Sequence, residues 1–132
     1  MSYKIDIQRK DGFLHAAVSG PNTRDAVQRY LMDVYQACLE SGCPYVLVEE
    51  NLSGRSLSMS EVNQIASTGS EGVWPVVQAI GYVDANPEHF PSRMDFAAAV
   101  ATTRGLNVRS FANVADAEKW LRETIRAAAD RK

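Results

Sequence analysis

The chain has 132 residues, of which 45% are hydrophobic and 23% charged, and its formal net charge is −2 at neutral pH. This length predicts a single domain, residues 1–132, with a core large enough to need no disulfide or structural metal. The small net charge gives no electrostatic basis for binding nucleic acid or an anionic membrane. No apolar run approaches the roughly 18 residues that cross a bilayer. The start also lacks the apolar stretch of a signal peptide, so we expect a cytoplasmic protein with no transmembrane segment.

The first two elements are predicted to be strands of an antiparallel hairpin. Apolar side chains alternate with polar ones over residues 3–9, which is typical of a strand with one buried face. The Asp-Gly pair at 11–12 favours a tight turn. A second strand is predicted over residues 13–19, and Gly20-Pro21 then interrupts the pattern.

A helix is predicted after this interruption. Asn22 or Thr23 can cap its start, apolar residues recur at spacings of three and four, and Gly42 supplies a left-handed residue at its end. Cys38 falls on the apolar face of this helix and Cys43 lies in the turn that follows. Neither cysteine has the electropositive, exposed setting of a reactive thiol, so we interpret both as structural.

The segment VLVEENLSGRSLS, at residues 46–58, begins as an apolar strand and becomes polar and serine-rich. We predict a buried strand over residues 45–48, since short β-branched runs are typical of strands covered on both faces. Ser58 and Glu61 fit the capping-box pattern at the start of a short second helix. Ser53-Gly54 is interpreted as a turn between the two elements.

The rest of the chain alternates strands and helices. The hydrophobic pattern predicts a strand at 76–83, a helix at 92–103, a strand at 106–111 and a last helix that begins near Asn113. The resulting order, ββαβαβαβα, predicts an α/β fold with an open mixed sheet of about five strands and helices on both faces.

Acidic residues follow the predicted third and fourth strands, where ligands bind in sheets of this kind. If these strands are neighbours, Glu49 or Glu50 would lie within reach of Asp84. Two close carboxylates can hold a divalent metal or serve as an acid and a base. Polar residues also end strands simply because the chain returns to solvent, and we favour that explanation.

Evidence for catalysis is weak elsewhere. Ser53-Gly54 does not match the G-x-S-x-G turn of serine hydrolases, and no histidine is near it in sequence to act as its base. The two histidines, His15 and His89, and the two cysteines are too scattered for a predicted zinc site. We therefore expect a non-enzymatic protein without a cofactor. Trp74, in a loop, either covers the core or contacts an apolar ligand or partner.

The last forty residues carry a family resemblance. The segments ATTRGLNVRSF, at 101–111, and AEKWL, at 117–121, resemble the ending of the SpoIIAA-like branch of STAS-like proteins, within the same strand and helix order. Gly105, Phe111 and the apolar residues of the last helix also have a packing explanation. The resemblance implies the STAS-like (SpoIIAA-like) fold.

In STAS proteins of the anti-sigma-factor antagonist type, a serine in the loop after the third strand is phosphorylated and controls docking to a protein partner. The resemblance places the matching loop at residues 51–58, which makes Ser53 and Ser58 candidate phosphosites. Ser53, Gly54, Arg55, Ser58 and Trp74 are candidate residues for binding. We expect an interaction domain that binds a protein partner or a small apolar ligand, with a homodimer left open. The alternative is a small enzyme or divalent-metal-binding protein that uses Glu49, Glu50 and Asp84.

Overall fold

The computed structural model describes residues 3–10, 12–54, 57–70, 77–86, 89, 91–103 and 107–130. Nine elements occur in the predicted order: β1 (Lys4–Lys10), β2 (Phe13–Pro21), α1 (Arg24–Ser41), β3 (Tyr45–Ser53), α2 (Met59–Ser70), β4 (Ala79–Asp84), α3 (Pro91–Thr103), β5 (Asn107–Phe111) and α4 (Val114–Asp130). None of these described helices combines the length and the hydropathy needed to cross a membrane.

The five strands form one mixed sheet in the order β1-β2-β3-β4-β5. The hairpin partners β1 and β2 are antiparallel, whereas β2, β3, β4 and β5 pair in parallel with their neighbours. The carboxyl ends of the four parallel strands therefore lie along one edge of the sheet. This topology confirms the predicted architecture.

Helices cover both faces of the sheet, as predicted. On one face, α1, α2 and α3 pack side by side over a core that includes Tyr30, Val48 and Leu52. On the other face, α4 lies against β3, β4 and β5, where it buries Ala117 and Leu121. Alternation along each strand divides its side chains between these two cores.

The ends of α1 follow the predicted capping pattern. Thr23 is the N-cap, and its hydroxyl oxygen accepts a hydrogen bond from the Ala26 N–H at 3.1 Å. Gly42 adopts the left-handed conformation at φ 70°, and its N–H donates to the Cys38 carbonyl. Cys38 and Cys43 are both free and buried. Burial, with the neighbouring Cys43, raises the pKa of Cys38 to about 12, which agrees with a structural role.

The boundaries predicted for β2 and β3 are wrong. β3 does not stop at residue 48 but continues to Ser53, and β2 continues to Pro21, because the two strands keep pairing in parallel up to the partners Pro21 and Ser53. The polar residues inside β3 are accommodated by alternation: Leu52 is fully buried, and Asn51 is exposed on the opposite face. Ser53 is therefore the last residue of a strand, and the predicted turn at Ser53-Gly54 begins one residue later.

The predicted start of β4 at residue 76 lies outside the described residues. The described ladder begins at Ala79, which pairs with Tyr45 and Asn107. Val77 is buried although it precedes the ladder. Its apolar character therefore reflects packing rather than strand pairing.

Candidate functional site

Two of the three acids predicted at the strand ends come together. Glu50 in β3 and Asp84 at the end of β4 are direct partners in the parallel ladder, so the backbone places their side chains on the same face of the sheet. Glu49 precedes Glu50 and therefore points to the opposite face, where its carboxylate contacts Nε2 of His15 at 3.0 Å. Of the two acids predicted as alternatives, Glu50 is therefore the one that meets Asp84.

Glu50 is a buried carboxyl group held by two phenols. Only 6% of the residue is exposed. The hydroxyl groups of Tyr30, from α1, and Tyr82, from β4, both donate to its Oε2 atom and also contact each other. Burial raises the pKa of Glu50, although the two hydrogen bonds oppose this shift. Burial and the nearby Glu50 charge raise the pKa of both tyrosines well above the ordinary value.

His89 completes the cluster. Its Nδ1 atom lies 2.7 Å from Oδ2 of Asp84, and its Nε2 atom lies 2.8 Å from the carbonyl oxygen of Gly54. A carbonyl oxygen and a carboxylate only accept hydrogen bonds, so these contacts require both ring nitrogens to donate. Burial opposes the charged ring, but the hydrogen bonds to Asp84 and Gly54 and the charges of Asp84 and Glu50 outweigh it. The pKa of His89 is consequently raised.

Asparagine side chains and backbone groups connect the same strand ends. The Asn86 side chain donates to the Leu52 carbonyl at 2.7 Å, and its backbone N–H donates to Oδ1 of Asp84 at 3.0 Å. The backbone N–H of Asn22 donates to the Ser53 carbonyl at 2.8 Å. Its side-chain Nδ2 atom lies 3.4 Å from Nε2 of His89. The ends of β2, β3 and β4 are therefore linked through one polar network.

Three of the predicted binding residues, Ser53, Gly54 and Ser58, lie at the surface. Ser53 and Gly54 are exposed, and the Ser53 hydroxyl donates to the Gly20 carbonyl at 3.1 Å. Ser58 is exposed and forms the predicted capping box, in which its hydroxyl accepts from the Glu61 N–H and the Glu61 carboxylate accepts from the Ser58 N–H, both at 3.1 Å. Arg55 and Trp74 lie outside the described residues.

Sequence reasoning missed three residues of the site, namely Tyr30, Tyr82 and His89. The tyrosines occupy apolar positions of a helix and a strand, where their rings pack as predicted, and the pattern does not show that their hydroxyl groups converge. His89 follows Asp84 by only five residues, so a histidine this close behind a strand-ending acid was the one available signal.

The three titratable groups offer ligands for a metal ion. One oxygen each from Glu50 and Asp84 and one ring nitrogen of His89 all lie within 4.8 Å of one another. The same groups could also exchange protons, but each already has hydrogen-bond partners within the protein. The arrangement is thus suited to holding a cation or fixing the loop that carries Gly54.

A depression lies on the opposite face of the sheet. It has a volume of about 390 Å³, and its exposed lining is more apolar than polar. The polar residues that line it are Lys4, Asp6, Ser19, Glu49 and Asn51. The His15–Glu49 pair on this face has a side-chain exposure of 13% and 35%, whereas the His89 and Asp84 side chains are 4% and 19% exposed. The Asp84–His89 pair is therefore the better shielded of the two.

No protein-family model matches the chain, and no curated protein matches it in sequence. Its structure is similar to that of an uncharacterized DUF3478-family protein from Shewanella loihica, whose 2.25 Å crystal structure is described as having a SpoIIAA-like fold. The two share 16% sequence identity with a TM-score of 0.53, and the match covers 91% of this chain and 94% of that chain. The chain therefore has a SpoIIAA-like fold, as its resemblance to that group predicted.

Proposed function

We propose that this protein is a non-enzymatic interaction domain that binds a protein partner through the loop after β3. Ser53, Gly54 and Ser58 form the described part of this surface. One observation carries the proposal: the buried ring of His89 contacts the Gly54 carbonyl at 2.8 Å and the Asp84 carboxylate at 2.7 Å. The position of an exposed loop is thereby fixed from inside the protein.

The chemistry of the exposed loop supports docking rather than catalysis. Ser53 and Ser58 are exposed, and Ser58 lies at the N-terminus of α2, where added negative charge is favoured. His89 uses both ring nitrogens in hydrogen bonds, so it does not present a free base to a substrate. The described part of the loop exposes the polar side chains of Ser53 and Ser58, which favours a protein partner over a small apolar ligand.

Substitutions at Ser58 test this function while preserving the fold. Asparagine and aspartate are helix caps as good as serine, so Ser58→Asn and Ser58→Asp both keep the start of α2 and differ only in charge. Partners would be captured from the native host, purified and titrated against each variant. We expect Ser58→Asn to bind like the wild type and Ser58→Asp to bind at least about tenfold more weakly, which corresponds to about 1.4 kcal/mol.

A control for nonspecific charge effects is available at the other end of the sheet. Ser41→Asp adds the same charge at the exposed end of α1 and should leave the affinity unchanged. Trp74→Ala, in the loop predicted to contribute an apolar contact, should also weaken binding. Equal affinity for Ser58→Asp and Ser58→Asn, together with unchanged binding by Trp74→Ala, would contradict the proposed surface.

A further inference from the structure

We infer that Glu50, Asp84 and His89 form a binding site for one divalent transition-metal ion of the Zn²⁺ or Mn²⁺ class. This inference goes beyond the proposed interaction function and rests on different observations. Each residue supplies one ligand atom, two carboxylate oxygens and one imidazole nitrogen, and the three atoms lie within 4.8 Å of one another. The ring nitrogen that binds the metal would release its proton to solvent, as metal-binding histidines do.

A single ion requires the ligand atoms to move closer together. Zinc lies about 2.0–2.2 Å from oxygen and nitrogen ligands, so two ligands of a tetrahedral ion are about 3.3–3.6 Å apart. The ligand atoms of the cluster lie within 4.8 Å of one another. The side chains would therefore rotate to close the widest separations by up to about 1.5 Å.

The fold fixes the two carboxylates in place. Glu50 and Asp84 are partners in the β3–β4 ladder, so strand pairing fixes the spacing of their Cα atoms. Tyr30 and Tyr82 hold Oε2 of Glu50, and the backbone N–H of Asn86 holds Oδ1 of Asp84 at 3.0 Å. Hydrogen bonds of this kind orient metal ligands and are a regular feature of protein metal sites.

Charge and burial also favour a cation here. Two carboxyl groups meet in a cluster in which Glu50 and His89 are 6% and 8% exposed. Buried carboxylates are stable only when they are paired with positive charge or coordinate a metal. Without a metal, the protonated His89 ring supplies this positive charge to Asp84, and a divalent cation that displaced the ring proton would supply it instead. The cluster therefore combines ligand atoms and enclosure at one point, whereas the more exposed His15–Glu49 pair on the other face brings together two ligand residues.

The ligand set indicates which cations should bind. Imidazole nitrogen is a ligand for zinc, iron and other transition metals, while Ca²⁺ and Mg²⁺ prefer oxygen ligands alone. One nitrogen with two carboxylate oxygens therefore favours Zn²⁺ or Mn²⁺ over Ca²⁺ and Mg²⁺. With three protein ligands the ion would keep an open coordination position.

Calorimetric titration of the chelator-treated full chain tests the site. We expect Zn²⁺ or Mn²⁺ to bind with one-to-one stoichiometry, and Mg²⁺ and Ca²⁺ to bind at least about tenfold more weakly. Asp84→Asn and His89→Gln should each reduce the affinity by about tenfold or more, because each removes a ligand. The matched controls Glu49→Gln and His15→Gln change the same residue types on the opposite face and should leave the affinity unchanged.

A second measurement, on the wild-type protein, locates the bound metal even if a ligand variant does not fold. Mn²⁺ broadens NMR signals of nearby amides, so the amides of Gly54, Asp84 and His89 should broaden first. The inference is overturned if neither Zn²⁺ nor Mn²⁺ binds. Equal loss of affinity in the Glu49→Gln control, or Mn²⁺ broadening centred on His15, would overturn it as well. None of these outcomes bears on the Ser58 experiment, so the two proposals fail separately.

Discussion

Glu50 joins three elements through one carboxyl group. It belongs to β3, and its hydrogen-bond partners Tyr30 and Tyr82 belong to α1 and β4. Each phenol would lose water on burial, and the shared contact with Glu50 replaces that hydration. The cluster therefore contributes to the packing of α1 on the sheet as well as to the candidate site.

Removing one phenol should destabilise the protein. Tyr30→Phe leaves Glu50 buried with one donor fewer, which we expect to cost about 1–3 kcal/mol of unfolding free energy. Removing the same hydroxyl group from the half-buried Tyr35, in Tyr35→Phe, should lower the unfolding free energy by a smaller amount. Urea denaturation of both variants measures the difference, and an equal or larger loss in Tyr35→Phe would argue against a stabilising Tyr30–Glu50 contact.

The raised pKa of His89 predicts how stability depends on pH. A group that binds its proton more tightly in the folded chain stabilises the protein below its unfolded pKa, here the ordinary value of 6.5, and loses that contribution as the pH rises through the folded value. The raised pKa of Glu50 has the same effect on stability, and its contribution begins to fall above the ordinary carboxyl value of 4.5. Wild-type stability should therefore fall as the pH rises above 6.5.

Comparison with the His89→Gln variant isolates the contribution of His89 to the pH dependence of stability. In metal-free buffer between about pH 5.5 and 8.5, the unfolding free energy of this variant should decline less steeply than that of the wild type. His15→Gln, on the other face, should keep the wild-type slope. Parallel pH profiles for wild type and His89→Gln would contradict the assigned hydrogen bonds.

Among the elements, the β1–β2 hairpin depends on a close backbone approach. Gly20 has φ 138°, and a Cβ atom placed there would lie 2.8 Å from the Tyr3 Cα atom in the opposite strand segment. Gly42, at the end of α1, has φ 70° and no atom within 4 Å of such a Cβ. The two glycines share a left-handed backbone and differ in the space around them.

Alanine substitutions at the two positions should therefore distinguish the cost of the left-handed backbone from the cost of a steric clash. Gly42→Ala should cost about 1–2 kcal/mol for the left-handed conformation alone. Gly20→Ala should cost clearly more, because the backbone at Tyr3, just before β1, must also move. Thermal unfolding of the two variants provides the measurement, and a Gly20→Ala protein as stable as Gly42→Ala would show that the approach to Tyr3 is not tight in solution.

The Ser58–Glu61 capping box marks the start of α2, and the sequence pattern predicted it. Ser58→Ala should lower stability by about 1 kcal/mol through loss of the bond from the Glu61 N–H, whereas Ser58→Asn should change it little. Chemical denaturation distinguishes the two. A loss of the same size in Ser58→Asn would mean that the hydroxyl contributes by something other than capping.

Element order and type followed from hydrophobic periodicity, but the boundaries of β3 did not. Glu49, Glu50 and Asn51 look like a strand terminus because polar residues commonly end strands. In the structure they continue the ladder, since alternation sends Glu49 and Glu50 to different faces and each finds a partner distant in sequence. Boundaries set by such tertiary contacts are not encoded in the local pattern.

For the whole molecule, the fold was predictable and the site only in part. The predicted parallel order of the strands brings Glu49 or Glu50 near Asp84, because the carboxyl ends of parallel strands share an edge. Tyr30, Tyr82 and His89 reach this edge from a helix, a strand interior and a loop. Their convergence depends on helix packing and loop conformation, which periodicity does not determine.

If buried His89 holds the exposed loop after β3 in place, hydrogen–deuterium exchange of the His89→Gln variant should reveal the loss of that contact. We expect faster amide exchange than in the wild type across residues 52–58, because the contacts of the ring with the Gly54 carbonyl and the Asp84 carboxylate are lost. Exchange in the β1–β2 hairpin should be unchanged. Wild-type exchange rates in residues 52–58 of the variant would contradict the claim.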